Sequence, residues 1–444
     1  MIMNKYLIML LLSSMAYLGY SQINEIEFVE YDLDNGLHVI LHQDKATPIV
    51  ITSVMYHVGS KNENPDRTGF AHFFEHLLFE GSENMGRGEF DEYITNAGGV
   101  NNANTWYDRT YYYELFPSNQ LELGLWLESE RMLHAKVENK GIEVQREVVK
   151  EERRLRVDNP PYSLLRFLEV INEKAYKEHP YRWSVIGSMD HLDAAQEEDY
   201  VQFYNDFYTP NNAVLSIAGD IDIEETKILI DKYFSGIPVK NPKIFRPTVV
   251  EPPMTSMKTD TIYGNIQIPA IIMGYRIPAQ GTPDFYALSM LNTLMSDGES
   301  SRLNKELRDE QELVLQIGSF PLELEDPGMA IIFALPNMGV EVSTVQSAFD
   351  SEIRKVQDEL ISESEFQKLK NKIESTFVTS NARIAGIAES LANYHMYFGD
   401  ANLINTELDR YLKVTRDEIQ AVAKKYFNED NRVIINYLPN PVNP

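Results

Sequence analysis

The sequence predicts an α+β fold built twice, and three observations carry that expectation. An alternating apolar and polar segment flanks Asn35-Gly36 and gives way to helical periodicity. A proline-rich stretch divides the chain nearly in half, and two pairs of segments match across that division at almost the same offset. At 444 residues the chain is longer than one core usually organises, so more than one domain is expected. Its 43% hydrophobic and 24% charged residues are ordinary for a globular protein.

From the N-terminus, "MIMNKYLIMLLLSSMAYLGYSQ" sets Lys5 ahead of an apolar run from Tyr6 to Leu12, with small residues at Gly19 and Ser21. That order reads as a secretory signal over residues 1–21, too short for a spanning helix; a buried N-terminal helix is the alternative. With no Cys in the chain, a lipid on an N-terminal Cys and disulfides are both excluded. The expectation is a soluble periplasmic protein without a membrane anchor. Next, "EFVEYDLDNGLHVILHQ" alternates on both sides of Asn35-Gly36, a strong hairpin signal. A third strand is expected at Ile49 to Val58. Helices are expected at Thr68 to Glu80, Pro117 to Leu133 and Lys140 to Val157, where apolar residues recur at three-and-four spacing. "NAVLSIAGD", from Asn212, returns to strand. Five prolines in "SGIPVKNPKIFRPTVVEPP", residues 235 to 253, mark a linker. The expected domains are therefore 22–236 and 255–444, joined by 237–254.

The halves match twice. "FAHFFEHLLFEG" from Phe70 lies over "ALSMLNTLMSDG" from Ala287, 217 residues on, and "FYTPNNAVLSI" from Phe207 lies over "YFNEDNRVIIN" from Tyr426, 219 residues on. Two unrelated stretches at nearly one offset point to a duplicated fold. The first match sets His72, Glu75 and His76 opposite Ser289, Asn292 and Thr293. Ionisable groups absent from the second copy are not needed for packing, which leaves chemistry as their reason.

Charge removes other function classes. The 40 Lys and Arg against 67 Asp and Glu give a net charge of -27, and a nucleic-acid partner needs clustered cations. An anionic membrane surface is disfavoured on the same ground.

On a helix, His72 and His76 are one turn apart and face the same way, so both imidazoles can reach one ion. Glu75 lies about 60° from that line, close enough to hold a water beside the metal. Two histidines leave a catalytic zinc site short of its usual third protein ligand. The segment "IEVQREVVKEERRLR", residues 142 to 156, supplies a candidate. At about 100° per residue, Ile142, Val144, Val148, Val149 and Leu155 form one stripe with Glu152 near its middle. A carboxylate there is costly to bury unpaired, so Glu152 is the acid most in need of a cation. Glu151, Arg153, Arg154 and Arg156 read as a solvated helix face. His57, His134, His179, His191 and His395 lack such partners and read as surface or hydrogen-bonded histidines. Tyr111, Tyr112 and Tyr113 read most simply as strand residues.

The H-x-x-E-H order is the inverted form of the H-E-x-x-H zinc motif. With "REVVKEER", "GRGEFDEYITNAGGVNNANTWYDRTYYYE" (86 to 114) and "GESSRLNKELRDEQELV" (298 to 314), the sequence resembles the pitrilysin or insulinase-like zinc metallopeptidases. Within that family it resembles the short two-domain type of the mitochondrial processing peptidase subunits. The resemblance implies two homologous α+β domains, each a mostly antiparallel sheet with helices packed on one side, together forming half of a clamshell that encloses peptides. It implies one Zn2+ per chain on His72, His76 and Glu152, with Glu75 as general base in hydrolysis of a peptide substrate. It implies that Asn102, Ala103 and Asn104 form an edge strand that pairs with the substrate backbone. Helix phase and resemblance choose the same residue, Glu152.

Two departures from the family pattern stand out. Gln145, two turns before Glu152, occupies a position often held by Glu, which weakens any support from a carboxylate behind the ligand. An Arg and a Tyr seven apart hold the substrate in the family; here Arg308 is present but Leu315 stands at the Tyr position. A homodimer or a heterodimer with a homologous subunit supplying the Arg/Tyr pair is therefore expected. The alternative class is a non-catalytic scaffold subunit of a larger complex.

Overall fold

A computed structural model describes residues 25–441; the expected signal segment lies outside the described residues. β1 (Val29–Asp32), β2 (His38–Gln43), β3 (Ile49–Tyr56), β4 (Val100–Thr105), β5 (Thr110–Pro117) and β6 (Ala213–Gly219) form one sheet, ordered β1-β2-β6-β3-β5-β4. β7 (Lys258–Gly264), β8 (Ala270–Arg276), β9 (Val314–Leu322), β10 (Met329–Pro336) and β11 (Arg432–Pro439) form a second, ordered β7-β11-β8-β10-β9. With β1 set aside, the two orders coincide. β2 pairs parallel to β6 and β7 parallel to β11, while the other neighbours are antiparallel. β6 begins at Ala213 and β11 at Arg432, the same spacing as the sequence match that contains them. The chain is a duplicated α+β fold of two mostly antiparallel sheets, the architecture of half a clamshell.

The first hairpin departs from the two-residue turn that Asn-Gly favours. Leu33 N–H donates to Leu37 O at 3.0 Å, Gly36 N–H donates to Leu33 O at 2.8 Å, and only Gly36 of the turn has positive φ, at 81°. That is a three-residue loop closed by a left-handed glycine.

In the first half the helices are α1 (Phe70–Leu77), α2 (Glu89–Asn96), α3 (Leu121–His134), α4 (Asn139–Arg153), α5 (Leu164–Ala175), α6 (Met189–Ala194), α7 (Glu197–Phe207) and α8 (Ile223–Phe234). The second half carries α9 (Pro283–Ser296), α10 (Val342–Asp358), α11 (Glu363–Ser380), α12 (Ile384–Phe398), α13 (Leu403–Lys413) and α14 (Arg416–Tyr426). Most pack on one face of their own sheet, building the two main cores. Among the described residues no helix is long and apolar enough to cross a membrane.

The opposite faces are covered by exchange. α5 of the first half lays Phe167, Leu168 and Ile171 on Ile272, Ile331 and Val433 of the second sheet. α12 of the second half lays Leu391 and Ala392 on Ile40, Met55 and Val214 of the first, with Ile384 and Ala388 on Ile51 and Ala218. Each fully buried aliphatic side chain contributes about 1.5–3 kcal/mol, so neither half completes its sheet alone. A buried ionic junction sits beside this exchange. Lys61 Nζ lies 2.8 Å from Asp108, 2.5 Å from Glu325 and 3.1 Å from Asp326, and His57 Nε2 lies 3.0 Å from the same Glu325 oxygen. Residues 57, 61 and 108 come from the first half, and 325 and 326 from the β9–β10 turn of the second.

Candidate functional site

α1 is amphipathic in an unusual sense, with a core face of aromatics and a cleft face of ionisable groups. Phe70 and Phe73 pack on Tyr200 of α7, each with ring centroids 4.6 Å apart, and Phe74 stacks on Phe203 at 5.4 Å. That seats the helix and turns His72, Glu75 and His76 toward the cleft. The helix starts at Gly69, whose φ of 95° and closeness to Ile186 O, 2.8 Å from where a Cβ would sit, exclude other residues. Buried Glu63 caps the free amides there, accepting from Gly69 N–H at 2.8 Å and Ala71 N–H at 2.9 Å.

α4 brings Glu152 to the same place. Arg153 donates to Gly187 O at 2.8 Å and to Glu169 at 2.9 Å, tying the end of α4 to the loop that packs on Gly69. The expected helix through Val157 changes character at that point. Residues 154–158 form a π-helical turn, with Asn159 N–H donating to Arg154 O at 2.9 Å. This turn aims Arg156 back at Glu152, whose Oε1 it meets at 2.9 Å.

Glu152 Oε2 lies 3.1 Å from His76 Nε2 and 3.4 Å from His72 Nε2. Ligand atoms of a tetrahedral zinc site with bonds of about 2.1 Å are separated by roughly 3.4 Å, so the donor set and its spacing suit such an ion. The protonation states suit it too. Burial, then the neighbouring His76, lowers His72 to a pKa of about 4, leaving its lone pair free at neutral pH. Burial raises Glu152, but the His76 contact, the imidazoles and Arg156 outweigh it and hold the carboxyl at about 2. Burial raises the Glu75 carboxyl, opposed by a hydrogen bond from Thr105. Thr105 Oγ1 donates to Glu75 Oε2 at 2.6 Å.

These groups line a cleft of 1230 Å³ together with Asn102, Ala103 and Asn104. β4 is the outer strand of its sheet, and Ala103 N–H donates to Asn102 Oδ1 at 2.9 Å. Val148 and Leu155, 43% and 62% exposed, form an apolar wall of the cleft rather than core.

Other sequence candidates lie elsewhere. Gln145 donates to Glu80 at 2.5 Å, bracing α4 against the chain just beyond α1. Arg308 is not brought to the cleft; its guanidinium is held by Glu299 at 2.5 Å and Asp309 at 2.7 Å. Leu315 is half exposed on β9. Of the face read as solvated, Glu151 and Arg154 pair in solvent and Arg156 is exposed while meeting Glu152, but Arg153 is turned inward. His57, His134, His179 and His191 each have a hydrogen-bonding or carboxylate partner. His395 stacks on His38, with its Nδ1 3.9 Å from Glu30. Opposite His72, Glu75 and His76, the second copy ties Asn292 to Ser319 of β9 at 2.7 Å. Thr105, Glu63 and Arg156 carried no periodic or spacing signal that sequence reasoning could use.

Residues 38–188 match the family model described as insulinase, peptidase family M16, and residues 195–373 match peptidase M16 inactive domain. The chain is 30% identical over 410 residues to zinc protease PqqE of Helicobacter pylori, covering 92% of each. It is 28% identical to an uncharacterized zinc protease of Mycobacterium leprae, covering 89% of this chain and 88% of the other. Among solved structures, a protease from Helicobacter pylori superposes with a TM-score of 0.88 at 29% identity, covering 94% of this chain and all of that one. The periplasmic protease PqqL from Escherichia coli shares the fold at a TM-score of 0.76 and 18% identity, with 93% of this chain and 48% of that one covered.

Proposed function

The chain belongs to the insulinase family of peptidases, peptidase family M16, and on that premise we propose that it is a zinc-dependent endopeptidase acting on peptides or small unfolded polypeptides. The observation that carries the reading is the convergence of His72 Nε2, His76 Nε2 and Glu152 Oε2 beside Glu75, in a cleft bounded by a free strand edge. His72, His76 and Glu152 hold one zinc ion per chain, a reading supported by the names of the zinc protease relatives. Bound there, zinc supplies Lewis acidity to a scissile carbonyl and makes water a stronger acid.

The chain's own residues do the rest. Glu75 takes the proton of the attacking water and returns it to the amine nitrogen as the C–N bond breaks. Thr105 holds that carboxylate in place. Asn102 to Asn104 take the peptide as an added strand, binding main-chain groups with little regard to side chains. Val148 and Leu155 offer apolar contact. A second subunit, a copy of this chain or a homologue, closes the chamber and supplies the Arg and Tyr, since Arg308 is engaged by Glu299 and Asp309 and Leu315 has no hydroxyl. The segment 1–21 directs export to the periplasm.

The test is metal analysis and peptide cleavage on the native assembly and on Glu75→Gln. We expect zinc to be retained and kcat to fall by at least about 100-fold. Unchanged cleavage would overturn the role of Glu75. Zinc without cleavage, even beside the partner, would favour the scaffold reading, which draws support from the match of residues 195–373 to a domain described as inactive.

A further inference from the structure

A second cluster of imidazoles and carboxylates lies away from the cleft, where α12 of the second half crosses β1 and β2 of the first. Glu30, His38 and His395 each offer one ligand atom, and the three atoms lie within 4.8 Å of one another. His38 is 92% buried, being 8% exposed, and its Nε2 has no hydrogen-bond partner although Glu30 Oε2 is 3.3 Å away. Its other nitrogen, Nδ1, meets Asp32 Oδ1 at 2.8 Å. That carboxylate draws the ring proton to Nδ1 and leaves the Nε2 lone pair facing Glu30, the arrangement that outer carboxylates impose on metal-binding histidines. A lone pair on a buried ring facing an anionic oxygen at the surface is a place for a cation between them.

We infer that Glu30, His38 and His395 bind a divalent transition-metal ion, with zinc the type suited to two imidazoles and a carboxylate. His395 Nδ1 lies 3.9 Å from the same Glu30 oxygen that faces His38 Nε2. The two rings lie parallel, centroids 3.3 Å apart with an angle of 12° between planes. An ion lies in the plane of each imidazole that binds it, so one ring turns on binding. His395, the more exposed, is the one with room, its side chain being 28% exposed against 11% for His38. Because His395 belongs to the second half and Glu30 and His38 to the first, the ion would join the exchanged helix to the sheet it covers. Nothing in this inference depends on what the cleft binds.

The full chain, equilibrated with buffered zinc and freed of excess, is assayed for bound zinc per chain by elemental mass spectrometry. His395→Ala and His38→Gln are each expected to lose one equivalent relative to the native protein. His72→Ala/His76→Ala is expected to keep one equivalent and to show a Tm that climbs with added zinc. Zinc content in His395→Ala equal to that of the native chain would overturn the inference, leaving the pair as a proton-binding stack only. If the single variants fail to fold, the His72→Ala/His76→Ala protein decides alone: no bound zinc overturns the inference, and one equivalent upholds it.

Discussion

Thr105 donates its hydroxyl to Glu75 across 2.6 Å, joining the last residue of the edge strand to the acid on α1. A hydrogen bond to a charged group is worth about 1.5–3 kcal/mol. Thr105→Val keeps the shape and removes the donor. We expect kcat to fall roughly tenfold with little change in KM, because Thr105 orients the base and does not hold the peptide. A rise in KM alone would assign Thr105 to binding.

Ala103 N–H, on the outer strand of its sheet, donates to the Asn102 side chain. A proline at an edge-strand position of this kind removes an outward donor without breaking the ladder. Ala103→Pro is therefore expected to raise KM about tenfold, the worth of one or two main-chain bonds, while zinc content stays unchanged. Steady-state kinetics on an unstructured peptide, with metal analysis, checks it.

Leu391 on α12 is fully buried against the first sheet. Leu391→Ala is expected to cost about 2–5 kcal/mol, and the unfolding of both halves should shift together in a single calorimetric transition. Two separated transitions would show that the exchanged helices do not couple the halves.

Burial raises the Glu325 carboxyl, but the His57 contact and Lys61 outweigh it and hold the pKa at about 2, against an ordinary 4.5. A carboxyl depressed by folding stabilises above its unfolded pKa and loses that contribution as pH falls through the folded one. The stability gap between the native chain and Glu325→Gln should therefore be widest above pH 4.5 and close toward pH 2. With the side chain 30% exposed, the gap at neutral pH is about 2 kcal/mol. Denaturant titrations across that window measure it.

Local pattern made much of this legible in advance. The strand run around Gly36, the helical spacing of α1 and the offset between β6 and β11 are short-range signals, set by side-chain periodicity and turn chemistry. The phase of Glu152 was readable because an acid within an apolar stripe is costly. The stripe itself was misread in part. Val148 and Leu155 are apolar yet exposed, since a cleft wall and a core face give the same spacing. Arg153 reads as a solvated residue because helix phase does not record the Glu169 side chain and the Gly187 carbonyl that cover it, whereas Arg156 is solvent-exposed as read.

By itself, then, the sequence determined the duplicated α+β plan and which helices carry His72, His76 and Glu152, because these follow from periodicity within each segment. Tertiary structure alone decided that Glu152 meets both imidazoles, that Thr105 holds Glu75, that α5 and α12 change places between sheets, and that His395 lies on His38. Those relations join residues tens to hundreds of positions apart. Their distances depend on how whole layers pack, and no local repeat records that.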